Sequence, residues 1–409
     1  MERRPQVTAD QAADLLGVRL QTVYAYVSRG LLTRTHGLNE AGHRVSHFVL
    51  DEVLRLAAER TRVRTGSLEV LVESDVTLLD PKGSLSLRGH DAVALTERPF
   101  EDAAELLWSS DGVLRDHDPA LWTLATGPRA AAERVAAALP DGVTDLDRVR
   151  AAVVALAGLD GERGVLSRAH VAAVGRTVLI GALAVIPLRQ KDVGAGAFEM
   201  GLWPRLSDRP AAPAALEALR AALVLLVDHE LAASTMAVRV AAGTGTDPYL
   251  MVLTGLGALG GPLHGRSSLD AEDLLTAVRA GGVEVLDRTE AYAGRRLPGF
   301  GHAVYVDADP RAEALLDRVA RLDPEGWPAV EALLLAVSRR DGLSPNVDLA
   351  LAALVQAAGL VPGAGETVFG LSRIVGWLAH GLEEAPQGLR FRGRAVYRGG
   401  VSGEVGDEV

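Results

Sequence analysis

The sequence predicts a mostly α-helical protein whose first 65 residues form a small unit of their own. Hydrophobic residues make up 48% of the 409-residue chain but aromatics only 4%, so the core is built from Ala, Leu and Val. Ala and Leu are strong helix formers. Past residue 88 the apolar period is helical. Gly and Pro punctuate it at Pro140-Asp-Gly142, Pro210 to Pro213, Pro298-Gly299 and Pro362-Gly363. Charge divides the chain as well. Residues 1–65 hold ten arginines, no lysine and seven acids, a balance of +3 against −11 overall, so the remainder carries −14. A positive head on an acidic body points to a separate partner for the head.

The length suits two or three domains. With no cysteine, disulfides, thiolate catalysis and Cys-ligated metal sites are excluded. The best apolar run, Thr177 to Leu188, is followed by Arg189, Lys191 and Asp192. It reads as a buried helix, with no segment long enough to span a bilayer. The N-terminus lacks the apolar core of a signal peptide, so a cytoplasmic location is expected.

Within the head, Thr8-Ala-Asp-Gln11 has capping-box spacing and opens a helix with Ala12, Leu15 and Leu16 on one face. Gly17 ends it, and Gln21 to Ser28 reads as a second helix. A polar, Gly-containing loop follows from Thr33 to Arg44, then a helix from about Leu50 to Arg62. This is a helix-turn-helix plan with a wing-like loop. From Leu68 to about Arg88, apolar and polar residues alternate around Asp80-Pro-Lys-Gly83, which predicts a short hairpin.

Three of the ten histidines sit in unusual settings. His229 lies in Asp228-His229-Glu230, read as part of the helix leading into "LAASTMAVRVAAGTGTD". His264 lies in "GALGGPLHG" and His302 in "PGFGHAVY", where glycines let the backbone approach a ligand. Asp348 in "SPNVDLA" and Arg373 in "LSRIVGWLAHGLEE" join them. Taken singly, Asp348 could serve a helix cap, His229 with Glu230 a surface pair, and Arg373 a helix bridge. Gly255-Leu-Gly257-Ala-Leu-Gly260 spells a dinucleotide fingerprint. It follows a helix opened by Asp247 at N-cap and Pro248 at N1, so these glycines read as packing notches instead. No metal-binding spacing appears.

Two resemblances follow from these words. "AADLLGVRLQTVYAYVSRGLL" resembles the DNA-binding segment of MerR- and excisionase-like winged helices. That implies Arg19, Gln21, Thr22, Tyr24 and Tyr26 facing a major groove, with Arg29 and Arg34 near phosphates. "DHELAAST", "GTGTDPYLMVLTGLGALGGPLHG", "PGFGHAVYVDADPRAEAL", "NVD" and "LSRIVGWLAHGLEE", in this order, resemble citrate synthases over roughly residues 68–400.

The second resemblance implies a two-domain helical fold after a winged helix-turn-helix at 1–65. A large domain would span 66–265 and 356–409, and a small domain 266–355. It further implies a homodimer that condenses an acyl-CoA, acetyl-CoA first, with oxaloacetate, without a metal or redox cofactor. Asp348 matches the base at the thioester α-carbon, His264 the donor to the enol oxygen, and His302 the acid at the 2-oxo carbonyl. His229, Arg311, Arg373 and Arg392 match the ligands of the diacid, with Arg392 reaching a partner's site. The chemistry fits these residue types. A weakly acidic α-proton needs a carboxylate base beside an enolate-stabilising donor, and a diacid needs guanidinium groups.

The chain departs from the family pattern on the CoA side. Arg266-Ser267-Ser268-Leu269 follows His264-Gly265 where Gly/Leu-Ala-Asn-Glu/Gln is usual, and Val306 replaces a Lys or Arg. Arg392-Gly-Arg394 replaces Arg-Pro-Arg, and Val143-Thr-Asp-Leu-Asp-Arg148 replaces a His-Pro-Met run. An alternative follows: a DNA-binding regulator that keeps the diacid site as a metabolite sensor.

Overall fold

The computed structural model describes residues 6–16, 23–24, 26–27, 32–38, 44–50, 52–53, 71–191, 196–261, 267–288 and 297–392. They belong to two compact units, Met1–Glu73 and Ser74–Val409.

In the first unit, strand β1 (Gln6–Thr8) leads directly into the helix Ala9–Leu16. The capping box forms as expected. Gln11 N donates to Thr8 Oγ1 at 3.3 Å, and Thr8 N donates to Gln11 Oε1 at 3.0 Å. Val23, Tyr24, Tyr26 and Val27 are helical, as are Leu50, Glu52 and Val53. The polar stretch expected as a loop is partly strand. Residues Arg34–Leu38 (β2) pair antiparallel with Arg44–Val49 (β3), and β1 pairs with the other edge of β3. Backbone pairing does not depend on side-chain polarity, and a strand with one solvated face tolerates polar residues. Ala12, Val23, Phe48 and Val53 form the unit's core at 0% exposure.

The second unit opens on the expected hairpin. β4 (Thr77–Asp80) pairs with β5 (Ser84–Leu87) around a turn closed by Gly83 N donating to Asp80 O at 2.9 Å. A short third strand, β6 (His90–Asp91), follows, and the described residues beyond it are mostly helical. At the centre runs Ala364–Glu384, apolar on nearly every side and therefore surrounded. It packs against Phe100–Trp108, Arg168–Val185, Pro213–Leu226, Ala233–Gly243 and Pro248–Leu259. A second group has Val347–Ala357 packed on Pro310–Leu322 and Ser267–Gly281. One apolar cluster from Val76 to Leu382 joins both groups.

The helix carrying the apolar run begins earlier than the sequence reading placed it, at Arg168, and ends at Val185. At 18 residues and mean hydropathy 1.3 it is long and apolar enough to cross a bilayer by length and composition, contrary to the expectation above. Half of it is buried against Thr126–Ala138, Asp145–Ala157 and the central helix, so here it serves as a packing element.

Asp247 caps Pro248–Leu259 by accepting from Leu250 N at 3.0 Å, and this helix runs into the glycines as expected. A Cβ on Gly255 would fall 2.3 Å from the Trp377 ring, whereas one on Gly257 would meet nothing within 4 Å. Gly255→Ala is therefore expected to cost about 1–3 kcal/mol by overpacking. Gly257→Ala should be neutral or stabilise by roughly 0.5–1 kcal/mol through helix propensity. Urea unfolding of both variants checks this; equal effects would contradict the packing role of Gly255.

Candidate active site

The segment Asp228-His229-Glu230 is not helical. The helix Pro213–Leu226 stops, and the Asp228 carboxylate accepts from Glu230 N at 2.9 Å while Glu230 takes φ +53. Asp competes in this way with helical backbone bonds. His229 is thus presented from a turn between two helices, where the sequence reading had it on one. Its Nε2 is buried without a partner among the described residues. Burial, and then the charges of Arg311 and Arg373, hold the ring well below the usual imidazole range.

His302 lies 5.0 Å from His229, ring centre to ring centre, and 4.6 Å from Tyr305. Its Nδ1 accepts from Val304 N at 3.0 Å and Tyr305 N at 3.1 Å, which places the ring proton on Nε2. The loop before it is stitched to the segment before Asp348. Asn346 N donates to Gly299 O at 2.9 Å, Gly301 N to Ser344 O at 2.8 Å, and Asn346 Nδ2 to Gly301 O at 3.0 Å. Gly299 and Gly301 both take positive φ there. Asn346, not Asp348, caps the helix Val347–Ala357, accepting from Asp348 N at 3.0 Å. Asp348 stands in the first turn, where a helix end favours negative charge.

Asp309 caps the helix Pro310–Leu322 and grips Arg311, whose Nε and Nη2 donate to its two oxygens at 3.0 and 2.8 Å. The same carboxylate accepts from Val347 N at 3.2 Å. Burial opposes both charges, yet each holds the other: Arg311 stays above its usual range and Asp309 below the carboxylate range. Arg373 is met more sparsely. Its Nε donates to Leu226 O at 2.9 Å, its guanidinium lies 4.7 Å over the Phe369 ring, and its Nη2 has no partner among the described residues. Burial pulls it down to about 10.

Five of the seven residues singled out from the sequence therefore line one cleft of about 860 Å³: His229, His302, Arg311, Asp348 and Arg373. Asp270 lines it too. His264 and Arg266 lie outside the described residues. Arg392 is exposed and does not line the cleft. Val306 is 80% exposed just past His302. In the first unit, Arg19, Gln21, Thr22 and Arg29 lie outside the described residues. Tyr24 is exposed under the guanidinium of Arg34, 5.2 Å away, whereas Tyr26 is half-buried against the core. Residues two apart on a helix do not share a face. Sequence reasoning passed over Asp309 and Tyr305. The first was signalled by Asp-Pro at a helix start; the buried Tyr305 hydroxyl had no local sign.

The pattern described as "Citrate synthase, C-terminal domain" matches residues 68–394. The chain is 26% identical over 362 residues to the 2-methylcitrate synthase of Mycobacterium tuberculosis, covering 83% of this chain and 92% of that one. It is 34% identical over 200 residues to citrate synthase 2 of Bacillus subtilis, covering 47% of this chain and 54%, about half, of that relative. Two solved citrate synthases share the fold. That of Thermotoga maritima has a TM-score of 0.68 at 24% identity, covering 82% of this chain and 95% of that one. That of Thermoplasma acidophilum, in ternary complex with carboxymethyl coenzyme A and oxaloacetate, has a TM-score of 0.66 at 24% identity, with the same coverage. With most of its length inside that pattern, this chain belongs to the citrate synthase family.

Proposed function

We propose that the cleft condenses an acyl-CoA, acetyl-CoA in the first instance, with oxaloacetate to give citrate and CoA. The convergence of His229, His302, Arg311, Asp348 and Arg373 on one cleft carries this reading. Asp348 removes a proton from the thioester α-carbon, and His264 donates to the enol oxygen. The α-carbon attacks the 2-oxo carbon while the Nε2–H of His302 stabilises the oxygen that becomes an alcohol. Water then cleaves the thioester. Arg311, Arg373 and His229 hold the diacid. No metal or redox cofactor has a step in this scheme.

Charge supports a homodimer. Asp309 already neutralises Arg311, His229 resists protonation, and Asp348 adds a negative charge. Arg373 is the cation left over among the described cleft residues, against two carboxylates of the substrate. We infer that Arg392 of a second copy supplies the missing charge.

We further propose that the first unit is a winged helix-turn-helix that binds DNA. The capped helix, the helical residues 23, 24, 26 and 27 and the antiparallel pair β2 and β3 as wing support this, as does exposed Tyr24 beside Arg34.

Three outcomes test these readings. Asp348→Asn should lower thiol release from acetyl-CoA about a hundred- to ten-thousand-fold while oxaloacetate still raises the melting temperature. Wild-type turnover in that variant removes Asp348 from the base role, and an unaltered protein that shows the oxaloacetate shift but releases no thiol from any acyl-CoA favours the sensor. Mixed Arg373→Ala and Arg392→Ala subunits should regain activity in sites that pair two intact arginines. No recovery after verified subunit exchange refutes the shared site. Duplex DNA should bind the full chain with an affinity that falls steeply with salt, and deleting residues 1–65 should leave condensation intact. Absent binding at low salt overturns the DNA reading.

A further inference from the structure

The turn bearing His229 is held by a chain of buried polar groups to which the proposed chemistry assigns no role. Asp228 and His380 are both 0% exposed. Asp228 Oδ2 accepts from Thr77 Oγ1 at 2.6 Å, Glu230 N at 2.9 Å and His380 Nε2 at 3.1 Å. Across the ring, His380 Nδ1 meets Nη1 of Arg239. Arg239, 1% exposed, is fixed by Glu384 at 2.9 Å and Glu383 at 3.0 Å. Glu384 in turn accepts Nε and Nη2 of Arg390 at 2.6 and 2.7 Å.

The ring's tautomer follows from its neighbours. A guanidinium can only donate, so Nδ1 accepts from Arg239 and the ring proton sits on Nε2, facing Asp228. The same side of the central helix fixes the rest of the turn. Arg373 Nε donates to Leu226 O and Gly376 N to Val227 O, each at 2.9 Å, and His380 holds Asp228. Positions 373, 376 and 380 follow the i, i+3, i+7 spacing of one helix face. Contact is close enough that a Cβ on Gly376 would fall 2.3 Å from Asp228 Oδ1.

We propose that His380 is a positioning residue of the diacid site: held in its Nε2–H form by Arg239, it fixes the Asp228 carboxylate and, through it, the turn that sets His229 beside Arg373. The inference rests on the reading of the cleft as a diacid site.

His380→Gln keeps one donor and one acceptor in a plane, whereas His380→Phe keeps neither. In the full-length protein, His380→Phe should raise the KM for oxaloacetate roughly tenfold or more with kcat within about threefold, and His380→Gln should stay within about threefold of wild type. Thr77→Val, which removes one of the three bonds to the same oxygen, should raise KM about two- to fivefold and decides the matter if His380→Phe fails to fold. A second reading needs no substrate. The ring NMR signals of His229 in the unliganded protein should move in His380→Phe and Thr77→Val but not in His380→Gln. Wild-type protein that binds no oxaloacetate while those signals respond would sink the diacid reading and leave the positioning role standing. Unchanged His229 signals and unchanged KM in the folded variants, or His380→Gln as impaired as His380→Phe, would overturn the positioning role.

Discussion

The helix Ala364–Glu384 must carry ionisable groups through the middle of the second unit without a solvent face. All of its residues but Glu366, Phe369 and Glu383 are buried, and Arg373, His380 and Glu384 are at most 1% exposed. Taking an ion out of water costs several kcal/mol unless partners replace its hydration. Neighbouring elements are therefore constrained in where they place their own charges. Arg239 must come from Ala233–Gly243 to meet Glu384, and Asp228 must leave helical geometry to meet His380. The turn that presents His229 to the cleft is one consequence of that demand.

The two halves of the helix meet the demand differently. Toward the C-terminal end, Glu384 receives Arg239 and Arg390, and His380 is bonded through both ring nitrogens. Around Arg373 the pairing is incomplete. Arg373 Nη2, His229 Nε2 and the Tyr305 hydroxyl are buried without partners among the described residues. Each such group costs about 1–3 kcal/mol. Buried polar atoms left unmet are rare in folded proteins, and they call for a specific explanation. On the proposed reading, carboxylate oxygens of the diacid meet Arg373 Nη2 and the His229 ring, the two of these groups that line the cleft, and relief of this cost contributes to binding.

What the sequence made legible was local. The Thr8–Gln11 capping box, the turn at Asp80 and the Asp247 cap each depend on side chains within four residues, and each formed as expected. Site residues stood out because their types were odd for their surroundings, as with His302 among glycines. What remained hidden depended on partners distant in the chain. The His229 turn needs Thr77 and His380, which lie far on either side of it. His380 itself, in an apolar helix, reads like any core histidine until Arg239 and Asp228 are seen beside it. The β2 strand escaped notice because its polar residues conceal a backbone pairing set by β3.

Asp309 carries the reasoning from binding to chemistry. One carboxylate grips Arg311, a proposed anchor of the diacid, and the backbone N–H of Val347, one residue before the proposed base. Asn346 completes the tie by capping the helix at Asp348 N while bonding Gly301 O next to His302. The proposed anchor, base and carbonyl donor are thus fixed to one another by short hydrogen-bonded paths instead of by separate loops. On the proposed reading, a substrate that pulls on Arg311 pulls on the helix end that aims Asp348, and that helix end is stitched to the loop that aims His302. Groups placed in this way need little rearrangement as charge develops on the reacting oxygen, and that is the condition under which fixed dipoles lower a barrier most. The uncharged Nε2–H of His302 fits the same logic. On the proposed reading it does not compete with Arg311 and Arg373 for the carboxylates as a third cation would, and its hydrogen bond strengthens only as the carbonyl oxygen gains charge, so its contribution falls on the transition state more than on the bound substrate.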